Sequence, residues 1–137
     1  MAAKYTSDPL PLPPESALDE SSEWLIQVDG VNQAGPSFEA RVFLNNESVD
    51  KDSPRTPENG YAGSFHVYGY GLPANDGAPS LPMERSVEAR TAIEQQLAKG
   101  ARTARVTILP IMAGTYPGQA TSEEPLKNVS VDIRPKS

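Results

Sequence analysis

The chain has 137 residues, of which 12 are Lys or Arg and 18 are Asp or Glu, for a formal charge of −6. That length suits one domain with a real hydrophobic core. With no cysteine, there is no disulfide framework, thiol nucleophile or thiolate metal site. No basic patch or stripe of the kind nucleic acid requires is visible, since the most basic stretch holds only Lys99, Arg102 and Arg105. An anionic membrane surface is disfavoured on the same ground. No run approaches the about 20 apolar residues of a spanning helix. The opening residues, Met1 to Asp8, lack the apolar centre of a secretory signal. The expected location is therefore cytoplasmic, with co-export by a partner as the alternative.

Residues 1–22 read as a Pro-rich acidic tail or linker without regular structure. Pro9, Pro11, Pro13 and Pro14 favour extended backbone, and Asp19, Glu20, Ser21 and Ser22 add a solvated stretch. The folded domain is expected over 23–137. Its first strand is Trp24 to Val28, with Trp24, Ile26 and Val28 on one face and a turn signal at Asp29-Gly30. The second is Phe38 to Leu44, where Phe38, Ala40, Val42 and Leu44 alternate with Glu39, Arg41 and Phe43. A polar loop spans residues 45–60; loops of that length are uncommon and often functional.

The third strand is expected from Ser64 to Tyr70, with Phe65 and Val67 facing one way and His66, Tyr68 and Tyr70 the other. After a Pro/Gly loop, Met83 to Ala89 reads as a short edge strand. One helix follows at about residues 92–99. Thr91 and Glu94 have the spacing of a capping box, and Gly100 suits the left-handed end. Arg105 to Leu109 is the next strand, with Pro110 marking an edge or an end, and Val129 to Ile133 is the last. Five or six strands and one short helix predict a mainly β protein, an antiparallel β-sandwich.

Catalytic chemistry is hard to find. His66 is the sole histidine, so the chain lacks the imidazole set of a copper or zinc catalytic site. An ordinary strand-face histidine is the simpler reading, because no nucleophile is spaced to suggest a triad. Carboxylates are many, but nothing pairs them for acid–base work. Asp50-Lys51-Asp52 lacks the glycine and terminal glutamate of a calcium loop. Gly69 and Gly71 do not open a helix, so a phosphate cradle is disfavoured. Asn46-Glu47-Ser48 and Asn128-Val129-Ser130 match the glycosylation sequon, and without a secretion signal they read as chance. The face carrying His66, Tyr68 and Tyr70 either packs internally or forms a contact surface, for which tyrosine is well suited.

The order of segments resembles the C-terminal domain of tyrosinases and polyphenol oxidases, the KFDV domain of the plant enzymes. Phe38 to Asn45 is similar to the KFDVYVN-like strand, and Tyr61 to Phe65 to the EFAGSF-like segment. Met83 to Lys99 corresponds to a short strand and helix, Val106 to Pro110 to a VTLVP-like strand, and Val129 to Ile133 to a closing V-x-I strand. The resemblance covers about residues 23–134. It departs where the family lysine is Ser37 and the aspartate is Glu39 or Ala40. These 137 residues, with one histidine, hold no counterpart of the histidine-rich copper domain that precedes this region in the family.

The resemblance implies a jelly-roll-like sandwich that covers a type-3 copper site, with a shield side chain in the substrate position. It also implies a non-catalytic accessory or shielding role, in cis or in trans with a tyrosinase-like copper oxidase, or help with its maturation. Copper is then the partner's cofactor, and this chain holds none. The expected partner-binding or placeholder residues are Tyr116, Tyr61, His66, Tyr68 and Tyr70. Tyr116 has the most loop-like setting, between Gly114 and Pro117-Gly118. The alternatives are a stand-alone β-sandwich module with an unrelated partner, and an enzyme or sugar binder using acidic loops.

Overall fold

The structure, a computed structural model, describes residues 4–18, 23–32, 37–68, 82–112, 126 and 128–135. In chain order the elements are β1 (Tyr5–Thr6), β2 (Leu10–Pro11), α1 (Glu15–Leu18), β3 (Trp24–Asn32), β4 (Phe38–Leu44), a 3-10 turn (Pro57–Asn59), β5 (Tyr61–Val67), β6 (Pro82–Glu88), α2 (Arg90–Ala98), β7 (Thr103–Ala104), β8 (Val106–Met112) and β9 (Ser130–Pro135). They build a four-stranded sheet in the order β1-β8-β4-β5, a three-stranded sheet in the order β6-β3-β9 and a β2-β7 pair. Every strand pair is antiparallel, and the architecture is the expected β-sandwich.

The alternation in β4 sets the layers. Phe38, Ala40, Val42 and Leu44 are buried in the main core. Their neighbours across β5 and β8 follow the register: Ala40 lies opposite Phe65 and Pro110, and Val42 opposite Gly63 and Ile108. From the other sheet, Trp24, Ile26, Val28 and Val87 fill the same core. The sheets approach each other closely at Gly63. A Cβ there would stand 2.4 Å from Val87 Cγ1, on a backbone with φ +148°. Glycine is therefore required by both space and backbone conformation.

Several boundaries differ from the sequence reading. β3 does not stop at Asp29-Gly30 but runs to Asn32, through a bulge between Val28 and Val31 against β6. β5 starts three residues earlier than expected and ends at Val67. β8 continues past Pro110 to Met112, because β1 pairs only with Thr107 and Ile108 and leaves that side of Pro110 without a described partner strand. The helix begins at Arg90, and the Thr91–Glu94 capping box does not form. Ala89 occupies the cap position and donates its N–H to Trp24 O at 2.7 Å. The Glu88 carboxylate, at the end of β6, accepts the Arg90 N–H at 3.0 Å, and Glu94 is paired with Arg90 at 2.8 Å. Gly100 closes the helix as expected, at φ 89°.

The largest departure is at the N-terminus, where residues 4–18 carry regular structure and form a strap across the body. Extended Pro-rich backbone is already in the conformation of a strand. Tyr5–Thr6 pairs with Ile108 and Thr107, and Leu10–Pro11 with Ala104 and Thr103. Ser7, Leu12 and Leu18 are buried. Residues 1–3 and 19–22 of the expected tail lie outside the described residues.

Candidate functional site

Alternation sends Glu39, Arg41 and Phe43 of β4 to the outer face of the four-stranded sheet. Across β8 they meet Ile111, Leu109 and Thr107, and across β5 His66, Ser64 and Tyr61. One end of this face is roofed by the polar loop that follows β4. Its single valine, Val49, packs with Phe43 and Leu109 into a second small core, flanked by Tyr61 and Ile111. The loop is tied down by backbone acceptors: Arg41 Nη1 donates to Lys51 O at 2.9 Å, and Asn46 Nδ2 to Asn59 O at 2.9 Å. Asp50, Lys51 and Asp52 form a hydrogen-bonded turn in which Asp50 Oδ1 accepts the Asp52 N–H at 2.8 Å.

The other end of the face is open. Arg41 Nε donates to Glu39 Oε1 at 3.0 Å, and Arg55 lies 4.0 Å from the second Glu39 oxygen. His66 stands opposite Glu39 in the register and is exposed. Two residues on, Tyr68 is 77% exposed, the one large hydrophobic side chain so placed among the described residues. The two rings stack with centroids 6.4 Å apart and planes 22° from parallel. This is a flat, partly aromatic ledge beside a satisfied ion pair. It offers apolar area with polar tips, which suits a protein contact.

The expected site residues therefore separate. His66 and Tyr68 share the open ledge. Tyr61 instead lies at the roofed end, half-buried and edge-on to Phe43 at 5.4 Å. Tyr70 and Tyr116 lie outside the described residues. Phe43, which alternation alone would leave on the surface, is fully buried as part of the support of this face. The sequence clue was Val49, an isolated apolar residue within a polar loop.

Among the described residues no group of three or more His, Cys, Asp or Glu is placed to hold a metal ion. With one histidine and no cysteine in the whole sequence, the donor set does not fit a type-3 copper pair. No helix among the described residues is long and apolar enough to cross a membrane.

No protein-family model matches the chain, and no curated protein does either. Solved structures do share its fold. A latent aurone synthase, a polyphenol oxidase from its natural source, superposes with a TM-score of 0.55 at 14% identity over 98% of this chain and 25% of its own. A recombinantly expressed latent aurone synthase gives 0.53 at 17% identity over 96% of this chain and 24% of its own. Latent apple tyrosinase gives 0.53 at 14% identity over 98% of this chain and 26% of its own. The chain thus spans about a quarter of the length of these plant polyphenol oxidases and has, over nearly all its own length, the fold of part of them.

Proposed function

We propose that this chain is a non-catalytic β-sandwich of the kind found C-terminal to the copper domain in tyrosinases and polyphenol oxidases. It docks on a type-3 copper oxidase, in cis or in trans, and either shields that enzyme's active site or assists its maturation. The observation that carries this reading is the near-complete coverage of this chain by structures described as latent polyphenol oxidases, each matched over only a quarter of its length. The ordered motifs from Phe38 to Ile133 point the same way, and so does a donor set unsuited to binding two copper ions. Chemistry then belongs to the partner, and this chain contributes shape and an exposed aromatic.

Docking is assigned to the open end of the four-stranded sheet, at His66 and Tyr68. β5 presents the His66 ring, and Tyr68 follows directly after its last residue, stacked on that ring, which keeps the ordering cost on binding low. The test is to titrate the chain into a tyrosinase-like oxidase and follow diphenol oxidation together with binding by light scattering. The expected result is a saturable fall in rate, or faster copper loading of the apo-oxidase. Tyr68→Ala should weaken the complex by about tenfold, the scale of an exposed aromatic anchor. Absence of a complex at micromolar concentrations, with no change in rate or copper loading, would exclude the proposal.

A further inference from the structure

The N-terminal strap is attached by shorter ladders than the long strands β3 to β6, β8 and β9. Over residues 4–18 it has two ladders of two residues each, β1 on β8 and β2 on β7. Pro9, Pro11, Pro13 and Pro14 bring no N–H. Beside the ladders it is held by specific hooks, among them Lys4 Nζ to Glu47 O at 2.8 Å and to Val49 O at 3.0 Å, and Leu12 N to Arg102 O at 2.9 Å. Ser7 N donates to Val106 O at 2.9 Å, and the buried Val106 N–H is donated to Ser7 Oγ at 2.9 Å. Arg105 Nη1 donates to Ser7 O at 3.2 Å, and Arg90 Nη1 to Leu18 O at 2.7 Å.

The second half of the strap lies along α2, with Leu12 and Leu18 buried and open grooves beside them. A cavity of about 480 Å³ is lined by Leu12, Pro13, Pro14, Glu15, Leu97 and Arg102. A second, of about 280 Å³, shares Glu15 and Leu97 and reaches Leu18, Arg90 and Glu94. Both are open to solvent, so the strap's flank along α2 is wetted between its buried leucines. β4, by contrast, is paired along its whole length on one side and nearly so on the other. Proteins open first where buried contacts and backbone pairing are sparse, which favours opening of the strap before β3 to β6 and β8.

We propose that the strap is an exchangeable strand: it leaves its own body and seats on the β7–β8 edge of a second copy of this chain, giving a two-fold swapped dimer. A vacated edge is a template for an extended segment. This seat is keyed to one sequence. It needs a hydroxyl at the Val106 N–H, a leucine in the Leu12 socket and another above α2 at Leu18. The strap of another copy meets all three conditions and reproduces each hook. The exchange is reciprocal and therefore closes at two copies. The inference stands apart from the proposed docking on an oxidase, which uses the opposite edge of the four-stranded sheet.

The hydroxyls of Thr6 and Thr107 lie 3.1 Å apart across the β1–β8 pair, and the chain has no cysteine of its own. A Thr6→Cys chain is mixed with a Thr107→Cys chain, unfolded and refolded together at high concentration, then oxidised. A disulfide-linked heterodimer is expected from this pair. None is expected when Thr107→Cys is replaced by Thr91→Cys, which puts the thiol on the exposed side of α2. The unmutated chain, refolded at rising concentration and examined by native mass spectrometry, should show a dimer that grows with concentration. Equal crosslinking to both positions, no crosslink to position 107, or a monomer at every concentration would each overturn the proposal.

Discussion

β4 and the N-terminal strap are both extended segments that close the same core, yet they are held by different means. β4 is paired with β8 over all seven of its residues and with β5 from Phe38 to Phe43. The strap is held by two-residue ladders and by side chains that reach across it. Continuous ladders make a strand open only with the whole domain. Isolated hooks let a segment open alone. The two regions should therefore respond differently to mutation, and amide exchange read residue by residue separates a global from a local loss.

The strongest effect is expected in β4. Phe38 is 2% exposed and lies between Val67 and Met112 in the register. Phe38→Ala should cost about 3–5 kcal/mol, the range for removing a buried ring. Chemical denaturation should show one transition moved to lower denaturant, with strap and body amides losing protection together. A strap that survives the loss of β4 would contradict the hierarchy.

Asn45 comes next, because it joins β4 to the rest. It takes a left-handed backbone, φ 53°. Its Nδ2 donates to Gln96 Oε1 at 3.0 Å and to Thr103 O at 3.1 Å, and its Oδ1 accepts the Arg105 N–H at 2.9 Å. Asn45→Ala loses these bonds and strains the backbone, for about 2–3 kcal/mol in total. Asn45→Gly loses the bonds but relieves the strain, so it should be less damaging by about 1 kcal/mol. Denaturant midpoints of the two variants decide this. Equal midpoints would mean that the backbone conformation carries no cost.

The same contrast governs what the sequence discloses. The inward set of β4 and the opposed directions of Phe65/Val67 and His66 follow from a period of two, which needs no partner to be recognised. The strap escapes that reading because its burial is not periodic: Ser7, Leu12 and Leu18 are spaced by where the edge of β8 and the face of α2 lie. The capping box failed for a related reason. Glu88 sits at the end of a strand, and only the direct passage from β6 into α2 brings its carboxylate to the first turn. In the candidate site, Tyr68 could be placed on the outward face from alternation. The burial of Phe43 could not, because it depends on a loop folding back through Val49.

Within the strap, Ser7 is the strongest hook. Ser7→Ala leaves the buried Val106 N–H without its side-chain acceptor, at a cost of about 1–2 kcal/mol. Exchange at Ser7 and Leu12 should quicken by roughly the corresponding factor, while the amides of β4 keep their protection. Loss of protection spread evenly over β4 and the strap would show that the strap is part of the global unit.

The smallest effect concerns pH. Burial, and after it the negative charge of Asp8, push the Tyr5 hydroxyl above the ordinary 10.0. The folded strap therefore holds this proton more tightly than the unfolded chain does. Below pH 10.0 both states are protonated and the contribution to stability is fully present. As pH rises beyond that value the unfolded chain ionises first, and the stabilisation is lost as the folded pKa is approached. The denaturant midpoint should fall more steeply above pH 10 in the unmutated chain than in Tyr5→Phe, which has no hydroxyl to ionise. Absorbance titration of the tyrosinates should lose a step above pH 10 in the same variant. Coincident pH profiles would place Tyr5 in a solvent-like setting and remove alkaline pH as a way to loosen the strap.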